Sequence, residues 1–178
     1  MGNLLGDFVR GTPASLAPHF PPAVIRGIRQ HRAIDSFTDS HPVFLAAKKL
    51  LAPARQRFAG ISIDVFFDHF LTNHWQKFSA DNLGGFIVES YQMLENNPQW
   101  LTPELLEILP RMKDENWLDT NGTIAGIELT MTRISRRRHF LAPLREAHLD
   151  LIDHYHSFDR AFHDFYPQLM YFSTSWEA

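Results

Sequence analysis

The fold is decided near the end of the chain, by Pro143-Leu-Arg-Glu-Ala-His-Leu-Asp-Leu-Ile-Asp-His-Tyr-His-Ser-Phe-Asp-Arg-Ala-Phe-His-Asp-Phe-Tyr-Pro-Gln-Leu-Met170. Leu144, Leu151, Tyr155, Phe158, Phe162, Phe165 and Leu169 recur at steps of three and four, which is one face of an α-helix. A helix over 143–170 would be roughly 40 Å long at about 1.5 Å per residue, enough to span the domain and hold other helices against it. His148 falls on the same stripe and reads as a satisfied core histidine.

Working outward, Pro and Gly punctuate further helical patterns. Residues 2–10 read as a helix without its beginning. Residues 22–39 form a second helix, opened by Pro21 and Pro22, and 42–58 a third, interrupted near Pro53. Residues 62–77 form a fourth with Ser62 as N-cap; 82–96, 103–117 and 122–138 follow, with Thr102 and Pro103 as an N-cap and N1 pair. No period-two alternation is long enough for a strand, and no repeat or linker divides the chain. The expectation is one all-α domain.

Two helices carry polar groups on apolar faces. Val24, Ile28, His31 and Asp35 share one stripe, and Asp39 follows a turn later. The fourth helix reads Ile61-Ser-Ile-Asp-Val-Phe-Phe-Asp-His-Phe-Leu-Thr-Asn-His-Trp75 and is apolar nearly all round, so it should be central. Yet Asp64 and Asp68 stand one turn apart on it, with His69 beside Asp68 and no Lys or Arg between Gly60 and Gln76. Two acids on one face repel unless a cation or protons intervene. His31, Asp35, Asp68 and His69, without thiolate, make a donor set suited to Mn, Fe, Mg or Zn. The alternatives are a local His31–Asp35 hydrogen bond and an arginine partner for Asp64. The arrangement resembles the H…HD…D logic of HD-domain phosphohydrolases, with the dyad in reverse order.

Composition narrows the classes. The 178 residues include 15 Phe and 44% hydrophobic residues, which supports a packed core rather than disorder. The absence of Cys excludes disulfides, thiolate metal sites and cysteine nucleophiles. No signal peptide or apolar run of about 18 residues is found, so no membrane partner and a cytoplasmic location are expected. A net charge of −3 argues against nucleic acid as a partner. The arginines are nevertheless concentrated: Arg133, Arg136, Arg137, Arg138 and Arg145 fall in one short stretch.

Several segments resemble acyl carrier protein phosphodiesterases. They are Gly2-Asn-Leu-Leu-Gly-Asp-Phe-Val-Arg-Gly11, His31-Arg-Ala-Ile-Asp35 with Thr38-Asp39, Asp64 to Asp68-His69-Phe70 and His74-Trp75, Ser135-Arg-Arg-Arg138, Leu144-Arg145 and Phe165-Tyr-Pro167. The similarity runs in order over essentially the whole chain. It implies a divergent HD-like helical bundle and a divalent cation, Mn2+ first, with Mg2+, Fe2+ or Zn2+ as alternatives. It also implies hydrolysis of holo acyl carrier protein to the apo protein and 4′-phosphopantetheine. Family members carry a short apolar, His-containing segment before the Gly-Asn-Leu-Leu motif, so the first helix is expected to lack its beginning and any ligand carried there.

Under that reading His31, Asp35 and Asp68 are the metal ligands, and His69 completes or orients the shell. Asp64 orients a ligand, and Asp7 is a further ligand or the general base, unless it simply pairs with Arg10. Arg10 and Arg32 would clamp phosphate oxygens with their planar guanidinium forks. The Arg133–Arg145 patch would steer the strongly acidic carrier protein, against the simpler reading of a solvated cationic helix end. Two other functions stay open: an HD-type hydrolase of a nucleotide or other small phosphodiester, and an inactive binder of acyl carrier protein.

Overall fold

The computed structural model describes residues 1–177, and all regular structure among the described residues is helical. The order is α1 (Gly2–Leu5), α2 (Pro13–Leu16), α3 (Pro22–Ser40), α4 (Pro42–Lys48), α5 (Ala59–Phe78), α6 (Leu83–Glu95), α7 (Pro103–Asp114), α8 (Trp117–Thr120), α9 (Ile124–Arg136), α10 (Ala147–Asp153) and α11 (Tyr155–Ser175). Short 3-10 segments at Pro53–Phe58, Pro98–Trp100 and His139–Glu146 connect them. Side chains cap several starts: Thr102 accepts from the Leu105 N–H, Asn82 from Gly85, Thr123 from Gly126 and the His41 ring from Val43.

The final helix differs from the reading of one rod over 143–170. His154 leaves helical geometry at φ −120° and ψ 24°, splitting α10 from α11, and Pro143 sits in a 3-10 segment. The apolar stripe survives the break, with Leu144, Leu151, Phe158, Phe162 and Phe165 all buried. The first segment also shortens: α1 ends at Leu5, because the chain must turn to bring Val9 inward. Residues 42–58 keep only α4 and a 3-10 turn from the proline at 53. Ser62 is no cap, since α5 starts three residues earlier; its hydroxyl is buried without a partner. His148 is half-buried with its Nδ1 unpartnered, and so is not satisfied as expected.

Two apolar clusters build the interior. The larger joins α4, α5, α9, α10 and α11 through Phe44, Phe66, Phe70, Ile127, Met131, Leu151, Phe158, Phe162 and Phe165. Its aromatics meet edge-on, as Phe66 and Phe158 do at 5.1 Å and 69°, each such pair adding about 0.5–1.5 kcal/mol beyond area burial. The smaller joins α1, α3, α6 and α7 through Leu5, Ile28, Ile87, Tyr91, Leu94 and Leu105. α11 packs on α3, α4 and α5, and so bridges the clusters. α3 and α5 do not pack closely on one another; a cavity lies between them with α11 as its floor.

One buried ion pair ties the end of the larger cluster. Arg55 Nε and a terminal nitrogen donate to the two Asp150 carboxylate oxygens at 2.6 and 2.8 Å, and the Ala52 N–H adds a bond at 3.2 Å. The Arg55 and Asp150 side chains are only 12% and 6% exposed, so removing Asp150 leaves a buried guanidinium with only the exposed Glu146, 3.6 Å away, as counter-charge. We expect Asp150→Ala to lower the unfolding free energy by about 3–5 kcal/mol in urea titrations. A loss under about 1 kcal/mol would show that water replaces the carboxylate at little cost.

Candidate functional site

α3 presents His31, Asp35 and Asp39 at steps of four residues, α5 presents Asp64 and Asp68, and the turn after α1 brings in Asp7. The five carboxylates line one cavity of about 380 Å³, walled on the α11 side by Phe162, Phe165, Tyr166 and Leu169. Its most compact group is Asp7, His31 and Asp35. One donor atom from each lies within 4.8 Å of the others, and His31 Nε2 is 3.3 Å from both Asp7 Oδ1 and Asp35 Oδ2.

Close backbone approach makes this group. A Cβ on Gly6 would stand 2.1 Å from the His31 ring, and one on Gly2 would stand 2.3 Å from the Val24 carbonyl oxygen. Only hydrogen at these positions lets the N-terminal turn lie against α3. Arg32 holds that turn, donating to the carbonyls of Gly11 at 2.6 Å and Val9 at 2.8 Å. Both terminal nitrogens serve this contact, so Arg32 is a strut rather than the phosphate clamp expected of it. Arg10 is exposed, and Asp7 pairs with His31 instead of with Arg10.

The charges are frustrated. The hydrogen bond between Asp7 and His31 raises the imidazole's pKa and lowers that of the carboxyl. Asp35 lies equally near Nε2 but moves the other way. The single N–H goes to Asp7, so burial first, and then the Asp7 and Asp39 charges, outweigh the attraction of His31. Asp64 is pushed up to about 7 by burial and by Asp68, Asp39 and Asp35, opposed by Lys48. Asp68 is pushed up to about 6 by burial, against a 3.4 Å hydrogen bond from the Asn121 amide. Both keep solvent contact through the cavity mouth, so desolvation here comes from the surrounding walls rather than from enclosure. Lys48, 3.2 Å from Asp39, is the cation that α5 lacks between Gly60 and Gln76.

Two expected site residues lie elsewhere. His69 is 3% exposed on the opposite side of α5. Its Nδ1–H donates to the Asn121 carbonyl at 2.8 Å, and its Nε2 accepts from the Tyr155 hydroxyl at 3.0 Å. Adjacent helical residues point about 100° apart, and here that turns His69 toward Asn121 and Tyr155 while Asp68 lines the cavity. His69 still acts on the site indirectly, because it fixes the loop that sends Asn121 to Asp68. Arg133 leaves the basic patch: it pairs with Glu115 and stacks over Trp117 at 5.1 Å. Arg136, Arg137, Arg138 and Arg145 are exposed and make no ion pair among the described residues. Phe140, two residues beyond Arg138, is 57% exposed and stacks on Phe58 beside Arg57. Asn121 carries no signal in the sequence, and although Phe140 lies within the arginine-rich stretch and Arg57 stands two residues from Arg55, only the fold brings these two segments together through Phe58.

Carboxylates and one imidazole, with no thiolate, converging on one cavity of an all-helical domain form a donor set of the kind that suits divalent cations. The chain belongs to the acyl carrier protein phosphodiesterase family of phosphoric diester hydrolases, whose family model matches residues 1–169. It is 35% identical over 170 residues to the acyl carrier protein phosphodiesterases of Salmonella dublin and Salmonella agona (strain SL483), covering 95% of this chain and 86% of each relative. The relative from Salmonella enteritidis PT4 is equally similar. No solved structure matches the chain significantly. No helix among the described residues is long and apolar enough to cross a membrane.

The raised acids give a signed pH dependence. Unfolded Asp64 and Asp68 lose their protons near pH 4, whereas the folded protein keeps them until about 7 and about 6. Between those limits the native state binds more protons, so stability contributed here falls as pH rises. Asp64→Asn should therefore raise Tm at pH 8 and leave it unchanged near pH 4, by about 2–4 °C for each kcal/mol relieved. Equal Tm values at pH 8 would mean that the repulsion is absent.

Proposed function

We propose that this protein is a divalent-metal-dependent phosphodiesterase that hydrolyses holo acyl carrier protein to the apo protein and 4′-phosphopantetheine. The observation that carries the reading is the convergence of Asp7, His31 and Asp35 donor atoms within 4.8 Å, in a cavity that Asp64 and Asp68 also line. Family membership supports the substrate. The donor set supports the metal: one imidazole, several carboxylates and no thiolate suit Mn2+, with Mg2+, Fe2+ or Zn2+ as alternatives.

Asp7, His31 and Asp35 would hold the ion, with Asp68 and Asp64 facing it from α5. A bound divalent cation would supply positive charge to the phosphodiester and lower the pKa of water beside it. To hold the ion His31 would have to be neutral, and the ion would then supply the counter-charge of Asp7 and Asp35. Asp64, which lines the same cavity from α5, would take the proton from the water that attacks phosphorus. The bond from phosphorus to the carrier protein's seryl oxygen breaks, and that oxygen takes a proton from solvent at the cavity mouth. The phosphate leaves on pantetheine.

The carrier protein is acidic, and the face formed by Arg136, Arg137, Arg138 and Arg145 with Phe140 is the surface we assign to it. Exposed pairs contribute about 0–1 kcal/mol each, so the arginines act through summed charge while Phe140 offers apolar contact.

Incubation with holo acyl carrier protein and Mn2+, followed by intact mass measurement, should show loss of the phosphopantetheine mass. Asp35→Asn should lower turnover by roughly a hundredfold or more. An unchanged mass with Mn2+ points to the inactive binder, and a wild-type rate in Asp35→Asn removes the metal group from the reaction. For docking, changing Arg136, Arg137 and Arg138 together to Glu should raise KM for the carrier protein at least about tenfold, with added salt acting likewise on the unaltered protein. A normal KM at low salt would favour a small phosphodiester as the substrate.

A further inference from the structure

A second group of ligating side chains lies outside the cavity, where the last turns of α5 meet α11, and the reaction above uses none of it. His74 Nε2 is 2.9 Å from Asp159 Oδ1, and His163 Nε2 is 3.7 Å from the same oxygen. The two imidazole rings stand 4.6 Å apart between centroids, and one donor atom from each of the three residues lies within 4.8 Å of the others. Asp159 and His163 are one turn apart on α11, so the helix presents both in the same direction.

We propose that His74, Asp159 and His163 form a binding site for a zinc-class transition-metal ion that clamps α5 to α11. Donor atoms of a tetrahedral site with bonds of about 2.0–2.2 Å stand about 3.3–3.6 Å apart. The distances of 2.9 and 3.7 Å bracket that spacing, so small side-chain rotations close the set. A hydrogen bond between His74 and Asp159 accounts for one imidazole at the carboxylate but not for two. Asp159 makes no ion pair with Lys or Arg among the described residues, which leaves its charge for a cation.

The donor set also separates this site from the cavity. Two imidazoles to one carboxylate favour Zn2+, Co2+, Ni2+ or Cu2+ over Mg2+ and Mn2+. The aromatic walls of Phe70, Phe78 and Phe162 fix the rings, with Phe162 6.4 Å from the His74 ring and Phe78 6.0 Å from the His163 ring. The His74, Asp159 and His163 side chains remain 25%, 29% and 32% exposed, which gives an ion entry and leaves a coordination position for water.

The test uses the full chain carrying His31→Gln and Asp35→Asn, which disables the cavity group. Equilibrium dialysis against Zn2+ should find one bound equivalent, and the ion should raise Tm. Adding His163→Gln, with helicity checked by circular dichroism, should weaken binding at least about tenfold, since losing a ligand costs no less than losing a group that orients one. Asp159→Asn should do the same independently. Bound Co2+ should give visible absorption bands that His163→Gln abolishes. No zinc above the buffer level in the disabled chain, or equal affinity with and without His163, overturns the site.

Discussion

Mutual repulsion among Asp7, Asp35, Asp39, Asp64 and Asp68 is the constraint that the rest of this structure answers. Five carboxylates around one cavity cannot all be ionised at moderate pH with only His31 and Lys48 to oppose them. The protein leaves the conflict partly unresolved, and Asp64 and Asp68 hold protons far above the usual carboxylate range. A fold that tolerates this must be stabilised elsewhere, because the pocket itself weakens the native state as pH rises.

That stability comes from the surroundings of the cavity. Phe158, Phe162 and Phe165 form a buried aromatic spine on α11 against α5, and the smaller cluster fixes α3 from the opposite side. α11 touches both α3 and α5, so it sets the width of the gap that separates the two acid-bearing helices. The N-terminal turn is held without a core of its own. Gly2 and Gly6 let it approach α3, and Arg32 binds its carbonyls, which places Asp7 on His31.

The histidines divide by environment rather than by sequence neighbourhood. His31 meets two acids and has its pKa raised, whereas His69 is buried among neutral partners and has its pKa lowered. His74 on α5 and His163 on α11 converge on the Asp159 carboxylate of α11. The arginines divide similarly: Arg55 and Arg133 are consumed by internal pairs, while Arg136, Arg137, Arg138 and Arg145 are exposed and make no ion pair among the described residues.

The sequence by itself determined the helical class, the course of α3 and α5, and the identity of the pocket's acids. Periodicity of three and four is a local property, and acids on an otherwise apolar helix are conspicuous without any partner. Only tertiary structure decided which polar neighbours act together. Asp68 and His69 are adjacent in the chain but point to different faces of α5. Asp7 and His31 are 24 residues apart and in contact. The break at His154 was hidden because the apolar stripe continues through it, and the roles of Arg32 and Arg133 depended on carbonyls and an acid that only folding brings near. Spacing fixes direction around one helix axis, whereas a binding site is fixed by the approach of several, which in this protein α11 and the glycines of the N-terminal turn control.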